Sequence, residues 1–273
     1  MKVFFTIVLG ICCMVILILG QIHWKESTLV SANKPNSPEE QAFDNDTSAP
    51  KLKSKEINKK QDSSINTYLS MAANWPHQAQ ESFKKSLIDK KLYKVLIVGS
   101  NAINTSKGSW SSMVAKQLEE TYGKKNMKVT VRTYDLNSMQ FINQKKYLEL
   151  VNESADLVLF EPFTLNDNGE VVMENSLENL STFMEAFKQK NPSVAFIIQP
   201  PHPLYQAKFY PKQVDALKEY AKQDNITYLD HWPVWPDPNS EEIKSYLLAD
   251  QSGPNEKGNK VWGDFLLNYF IKK

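Results

Sequence analysis

The stretch Tyr93-Lys94-Val95-Leu96-Ile97-Val98-Gly99-Ser100-Asn101, running on to Gly108-Ser109-Trp110, decides the fold. Tyr93 to Val98 is apolar or β-prone apart from one Lys and reads as a fully buried strand. Gly99 ends the run and a polar loop follows. From Trp110 onward, Met113, Val114, Gln117, Leu118 and Tyr122 fall at helical spacing. The unit is strand, Gly-Ser turn, loop, helix. In an open α/β sheet, ligands sit in the crevice beyond the carboxyl ends of such strands, so chemistry is expected around Ser100 and Asn101.

Working outward, the same alternation recurs. Strands are predicted at 93–98, 127–134, 156–161, 194–199 and 226–229. Helical patterns lie at 76–91, 110–122, 140–152, 176–190 and 211–224, with a last one at 255–270 that carries Val261, Trp262, Phe265, Leu266, Tyr269 and Phe270. Strand-helix alternation at this spacing predicts right-handed crossovers and a five-stranded parallel sheet covered on both faces, a three-layer α/β/α domain over 67–273.

The N-terminal part reads differently. Val3 to Gly20 is an 18-residue run without a charge, extended to Trp24 before Lys25. This is the lower end of what spans a bilayer, and residues 1–24 are expected to form an uncleaved signal anchor, with a cleaved signal as the alternative. Residues 25–66, rich in Lys, Glu, Asp, Asn, Ser and Pro, bury too little to offset ordering and read as a disordered tether. The membrane is thus an expected partner, and the domain is expected outside the cytoplasm.

Composition closes off several classes. The 273 residues suffice for one sizeable core plus attachments. The net charge of +1 implies no steering toward nucleic acid, and none is expected as a partner. Cys12 and Cys13 both lie in the N-terminal apolar run. The rest of the chain therefore offers no disulfide framework, Cys nucleophile or Cys metal site. No helical His-x-x-x-His spacing occurs. Neither a metal nor another cofactor is expected.

Every predicted strand end is followed by an unusual polar loop. These are Gly99-Ser100-Asn101, Asp135-Leu136-Asn137-Ser138, Glu161 to Gly169 with Asn166-Asp167, Pro200-Pro201-His202-Pro203-Leu204-Tyr205, and Asp230-His231-Trp232. A sixth segment, Asp250-Gln251-Ser252-Gly253-Pro254-Asn255, precedes the last helix.

In order and content this set resembles the SGNH/GDSL hydrolases, extracytoplasmic members especially, over about 180 residues from Tyr93 onward. The resemblance implies the flavodoxin-like fold of that family. It also implies a nucleophilic Ser in the turn after the first strand, an oxyanion-hole Asn after the third, and an Asp-x-x-His segment before the last helix. Asp250 to Asn255, with Gly258 and Trp262 beyond, is similar to that last segment. Asp156-Leu157-Val158-Leu159-Phe160 with Asn166-Asp167 is similar to the third-strand block. The chain departs from the pattern at three places. Gly253 stands where the family has His. With Gly99 as the turn glycine, Asn101 rather than Ser100 stands in the Ser position. After the second strand, Asn137 or Ser138 replaces a Gly.

Chemistry states what is missing. A Ser hydroxyl needs an adjacent base, usually a His oriented by a carboxylate, and donors for the developing negative charge. The candidate roles are Ser100 as nucleophile, Asn166 as oxyanion donor, Asp250 as orienting carboxylate, and His231 or His202 as base. Each residue also has a plainer reading: Ser100 as a turn cap, Asn166 in an Asx turn, and each His bonded to backbone. Glu161, ending a buried strand, is expected to be paired or hydrogen-bonded. Two functions stay open. One is hydrolysis of an ester, such as an O-acetyl group on cell-envelope carbohydrate or a lipid ester, with acyl transfer as a variant. The other is a catalytically inactive module of the same fold that binds envelope glycan or a partner protein.

Overall fold

A computed structural model of the chain describes residues 63–273. The anchor expected at 1–24, both cysteines and nearly all of the tether lie outside the described residues. Among the described residues no helix is long and apolar enough to cross a membrane. The described chain opens on a helix over 63–71, which takes in residues 63–66, read above as the end of the tether.

Five strands form one parallel sheet: β1 (Tyr93–Ser100), β2 (Met127–Tyr134), β3 (Leu157–Phe160), β4 (Ala195–Ile198) and β5 (Thr227–Tyr228). Their order is β2-β1-β3-β4-β5. All pairings are parallel, for example Ile97 with Val131 on one side and with Leu159 on the other. The chain moves outward from β1 in both directions, so the carboxyl ends of all five strands share one edge.

Side-chain alternation divides the core. Val95, Ile97, Leu157, Leu159, Ala195 and Ile197 face one side. There they meet Trp75, Phe83, Trp110, Tyr122, Trp262 and Phe270, presented by the helices His77–Ile88, Trp110–Tyr122 and Glu256–Phe270 and the segment before the first of these. Leu96, Val98, Val158, Phe160, Phe196 and Ile198 face the other side, against Phe141, Leu150, Phe183, Phe187 and Leu217. These come from the helices Ser138–Asn143, Lys146–Asn152, Met173–Lys190 and Tyr210–Gln223. The unbroken apolar runs of β1, β3 and β4 follow from this two-sided burial.

Local differences from the sequence reading have local causes. β1 runs to Ser100 rather than Val98, because its ladder with β2 continues through Gly99↔Thr133 and Ser100↔Tyr134. The helix predicted over 140–152 is two helices that break at Lys145, whose φ is 55°. The first is set by a capping box between Asn137 and Gln140. The last helix starts where predicted, with Asn255 capping the backbone N–H groups of Lys257 and Gly258.

Candidate active-site cleft

The strand-end loops converge. A cleft of about 570 Å³ is lined by Asn101 and Ala102 after β1, Asp135 after β2, and Leu165 and Asn166 after β3. Leu204, Tyr205 and Ala207 after β4 and Asp250, Gln251 and Ser252 before the last helix complete it. The structure thus brings Asn166 and Asp250 together. Ser100, His202 and His231 do not line the cleft; they are fully buried beside it or beneath it.

Ser100 is the last residue of β1, with no exposed surface. Its hydroxyl donates to Glu161 Oε2 at 2.6 Å, its backbone N–H donates to the same oxygen at 2.7 Å, and its Oγ accepts from Ala102 N at 3.2 Å. The hydroxyl thus caps the short 3-10 turn Asn101–Ile103 and ties β1 to the end of β3. Gly99 permits the approach: a Cβ there would lie 2.5 Å from the Glu161 carbonyl oxygen and 2.6 Å from its carboxylate. The turn glycine therefore serves the Ser100–Glu161 contact, and the residue that reaches solvent is Asn101.

Glu161 is fully buried. Desolvation pushes its carboxyl up to about 8, against the pull of its hydrogen bonds from Ser100. Its second oxygen has no partner among the described residues. A neighbouring buried carboxylate, Asp167, accepts from Ser138 N at 2.7 Å and from the Ser176 hydroxyl, which ties the β2 and β3 loops together.

Neither imidazole is poised as a base for Ser100. His231 donates from Nε2 to the Pro200 carbonyl at 2.9 Å, and its Nδ1 accepts from Trp235 Nε1 at 2.9 Å. A carbonyl can only accept, so these partners fix the tautomer. The ring lies 4.2 Å from Trp262, nearly parallel to it. Burial lowers its pKa to about 3. His202 donates from Nε2 to the Gln251 carbonyl at 3.0 Å, and its buried Nδ1 has no partner among the described residues. Burial lowers its pKa to about 4. Both rings therefore stay neutral around pH 7 and pin loops. His202 holds the 250–253 segment, and His231 holds the loop after β4 against the aromatic layer.

Asp250 is exposed, and its Oδ1 accepts from Ser252 N at 3.0 Å and Ser252 Oγ at 2.7 Å. These bonds hold its carboxyl below the usual range. It orients no imidazole. Gly253 is buried, yet a Cβ built on it would meet nothing nearer than Leu248 Cδ1 at 3.6 Å. The absent His is thus a matter of residue identity, since the backbone has room for a side chain there. Asn166 is half-buried, and its amide donates to the Leu136 carbonyl at 2.9 Å, leaving one N–H and the amide oxygen for the cleft.

Asn101 and Asp135 form no side-chain hydrogen bond or ion pair among the described residues, though both line the cleft. The sequence points to both Ser100 and Asn101 at this strand end, and the role expected of the pair was given to Ser100. The signal was present in the strand period, since a strand continuing through Gly99 leaves Ser100 at a packed end. Among the described residues no group of His, Cys, Asp and Glu could hold a metal ion.

No family model matches the sequence, and no curated protein matches it. The fold does match solved structures. A lipolytic-type protein of the G-D-S-L family from Desulfitobacterium hafniense DCB-2 superposes with a TM-score of 0.52 at 16% identity, covering 64% of this chain and 98% of that one. A GDSL-like lipase from Parabacteroides merdae gives 0.53 at 12%, covering 65% and 95%. A carbohydrate esterase of family 3 from Talaromyces cellulolyticus gives 0.54 at 14%, covering 64% and 94%. The chain has the fold of GDSL-type lipases and esterases.

Proposed function

We propose that this protein uses an ester-hydrolase fold to hold an ester-bearing carbohydrate of the cell envelope, tethered to the membrane by residues 1–24 and 25–62, and that it does so without Ser-His hydrolysis. One observation carries the reading. The side chain offered to the cleft after β1 is the Asn101 amide, while the Ser100 hydroxyl is buried on Glu161. An amide is no nucleophile at neutral pH, and neither imidazole donates to or accepts from either residue. Two structures that share the fold are a GDSL-like lipase and a carbohydrate esterase, which supports an ester or glycan as the ligand class.

A second reading rests on the Ser100–Glu161 contact. A carboxyl with a pKa of about 8 lies near the pH at which a general base works best, and it is 2.6 Å from the hydroxyl. In that reading Glu161 takes the Ser100 proton, Ser100 attacks the ester carbonyl, and Asn166 donates to the oxyanion. It requires the strand end to open, because Ser100 has no exposed surface.

A fluorophosphonate probe on the full-length protein separates the two. The binding reading expects no labelling and background turnover of p-nitrophenyl acetate. Labelling that disappears in Ser100→Ala would overturn it and establish the second.

A further inference from the structure

The cleft carries a charge pattern that the family resemblance does not predict. Asp135 and Asp250 both line it, and no Lys or Arg does. Asp135 has neither a hydrogen-bond partner nor an ion-pair partner among the described residues. Asp250 spends only Oδ1, on Ser252, and its Oδ2 is left over. Asn101 adds a free amide oxygen. Two lysines stand near these residues: Lys244 is paired, 2.7 Å from Glu241 and 4.0 Å over the Tyr205 ring, while Lys208 is exposed, follows Ala207 and does not itself line the cleft.

The same contacts fix a platform. The Tyr205 hydroxyl donates to Glu241, its ring is covered by Lys244, and its backbone N–H donates to Gln251 Oε1 at 2.8 Å. Tyr205 therefore lines the same cleft as the two carboxylates as an ordered aromatic edge. Gln251 keeps its side-chain N–H₂ and Asn166 keeps one N–H for ligand hydroxyls.

We infer that the cleft selects a polyhydroxylated ligand bearing a free ammonium group, such as a de-N-acetylated amino sugar, with Asp135 and Asp250 setting the charge preference. This rests on the reading of the cleft as a carbohydrate site and narrows it. Two carboxylates without a counter-ion attract a cation and repel an anion, and the preference is screened by salt. Uronic acids, fatty acids and phosphorylated ligands are disfavoured by the same field.

Calorimetric titration of the full-length protein with three tetrasaccharides tests it. The probes are glucosamine, N-acetylglucosamine and galacturonic acid tetramers. The expected order is amine tightest, N-acetyl weaker and acid undetectable, with only the amine losing affinity as salt rises from low to physiological strength. Asp135→Asn should weaken the amine by about two- to fivefold, the range of a solvent-accessible ion pair, and weaken the N-acetyl form less. Asp135 is exposed and unpartnered, so this variant folds as the parent does. Equal affinity for amine and N-acetyl forms, or an equal loss of both in Asp135→Asn, would overturn the charge preference and leave the carbohydrate reading standing. Binding by none of the three would overturn the ammonium preference, whereas the ester-bearing carbohydrate reading falls only if an O-acetylated N-acetylglucosamine tetramer also fails to bind.

Discussion

Ser100 and Asn101 are neighbours in the chain, yet they belong to two regions that treat polar groups in opposite ways. Beneath the cleft lies a dry layer. Ser100 is bonded to Glu161, His231 is bonded to Pro200 and Trp235 and stacked on Trp262, and Trp262 Nε1 donates to Gln199 Oε1 at 2.9 Å. At the rim, the Asn101 and Asp135 side chains have no partner among the described residues, and the Asp250 carboxylate bonds only within its own turn. The residue types that usually signal catalysis, Ser and His, are spent on structure here. Amides and carboxylates line the cleft, with Tyr205 and Ser252 beside them. A buried polar group is costly to leave unpaired, and most here are paired within the protein, with Glu161 Oε1, Gln199 Nε2 and His202 Nδ1 as exceptions among the described residues. An exposed group can wait for water or ligand.

This contrast can be broken or sharpened by substitution. The largest effect is expected at Trp262, fully buried and stacked on His231 and on Trp110, whose ring centroid is 4.6 Å away. Trp262→Ala should cost about 3–5 kcal/mol in urea unfolding, since it empties the centre of the dry layer. Next comes Gly99→Ala. The added methyl group meets a backbone carbonyl that cannot swing aside, so about 1–3 kcal/mol should be lost.

The third test is a pH profile. Burial raises the Glu161 pKa to about 8, above its ordinary 4.5. Its neutral form is thus favoured in the folded state, and that contribution is lost as pH rises through 8. Burial lowers His202 and His231 to about 4 and 3, below their ordinary 6.5. Their contribution is present above 6.5 and lost as pH falls through those values. Between pH 6.5 and 8 the Glu161 slope stands alone among these three groups. Stability should fall there by up to about 1.4 kcal/mol per pH unit, and Glu161→Gln should flatten that slope. An unchanged slope in the variant would show that Glu161 is not the titrating group.

The smallest change in stability belongs to the rim. Asn101→Ala should stay within about 0.5 kcal/mol of the parent in unfolding while weakening oligosaccharide binding in the cleft. A loss of stability comparable to that of Gly99→Ala would mean that Asn101 belongs to the dry layer after all.

Much of this was legible beforehand. The buried runs 93–98 and 194–199 mark central strands, and the loops that follow them supply the cleft. Asn166 and Asp250, named from motif order alone, do share it. The base candidates were less legible. His202 and His231 sit just past strand ends, as a catalytic imidazole would. Nothing in the local sequence says that Nε2 of His231 faces a carbonyl 31 positions earlier, or that Nε2 of His202 faces one 49 positions later. The broken helix at Lys145 was invisible for a related reason, since the apolar period continues across a single left-handed residue.

The sequence by itself determined the layers, because two-sided apolar runs and 3.6-residue periodicity are local properties that only a covered parallel sheet can satisfy. Tertiary structure decided which polar groups are spent and which remain free. The partner of Ser100 lies 61 positions away and that of the Trp110 N–H, Asn259 Oδ1, lies 149 away. Hydrogen-bond satisfaction in a dry interior is settled by spatial neighbours, and those exist only once the chain has folded.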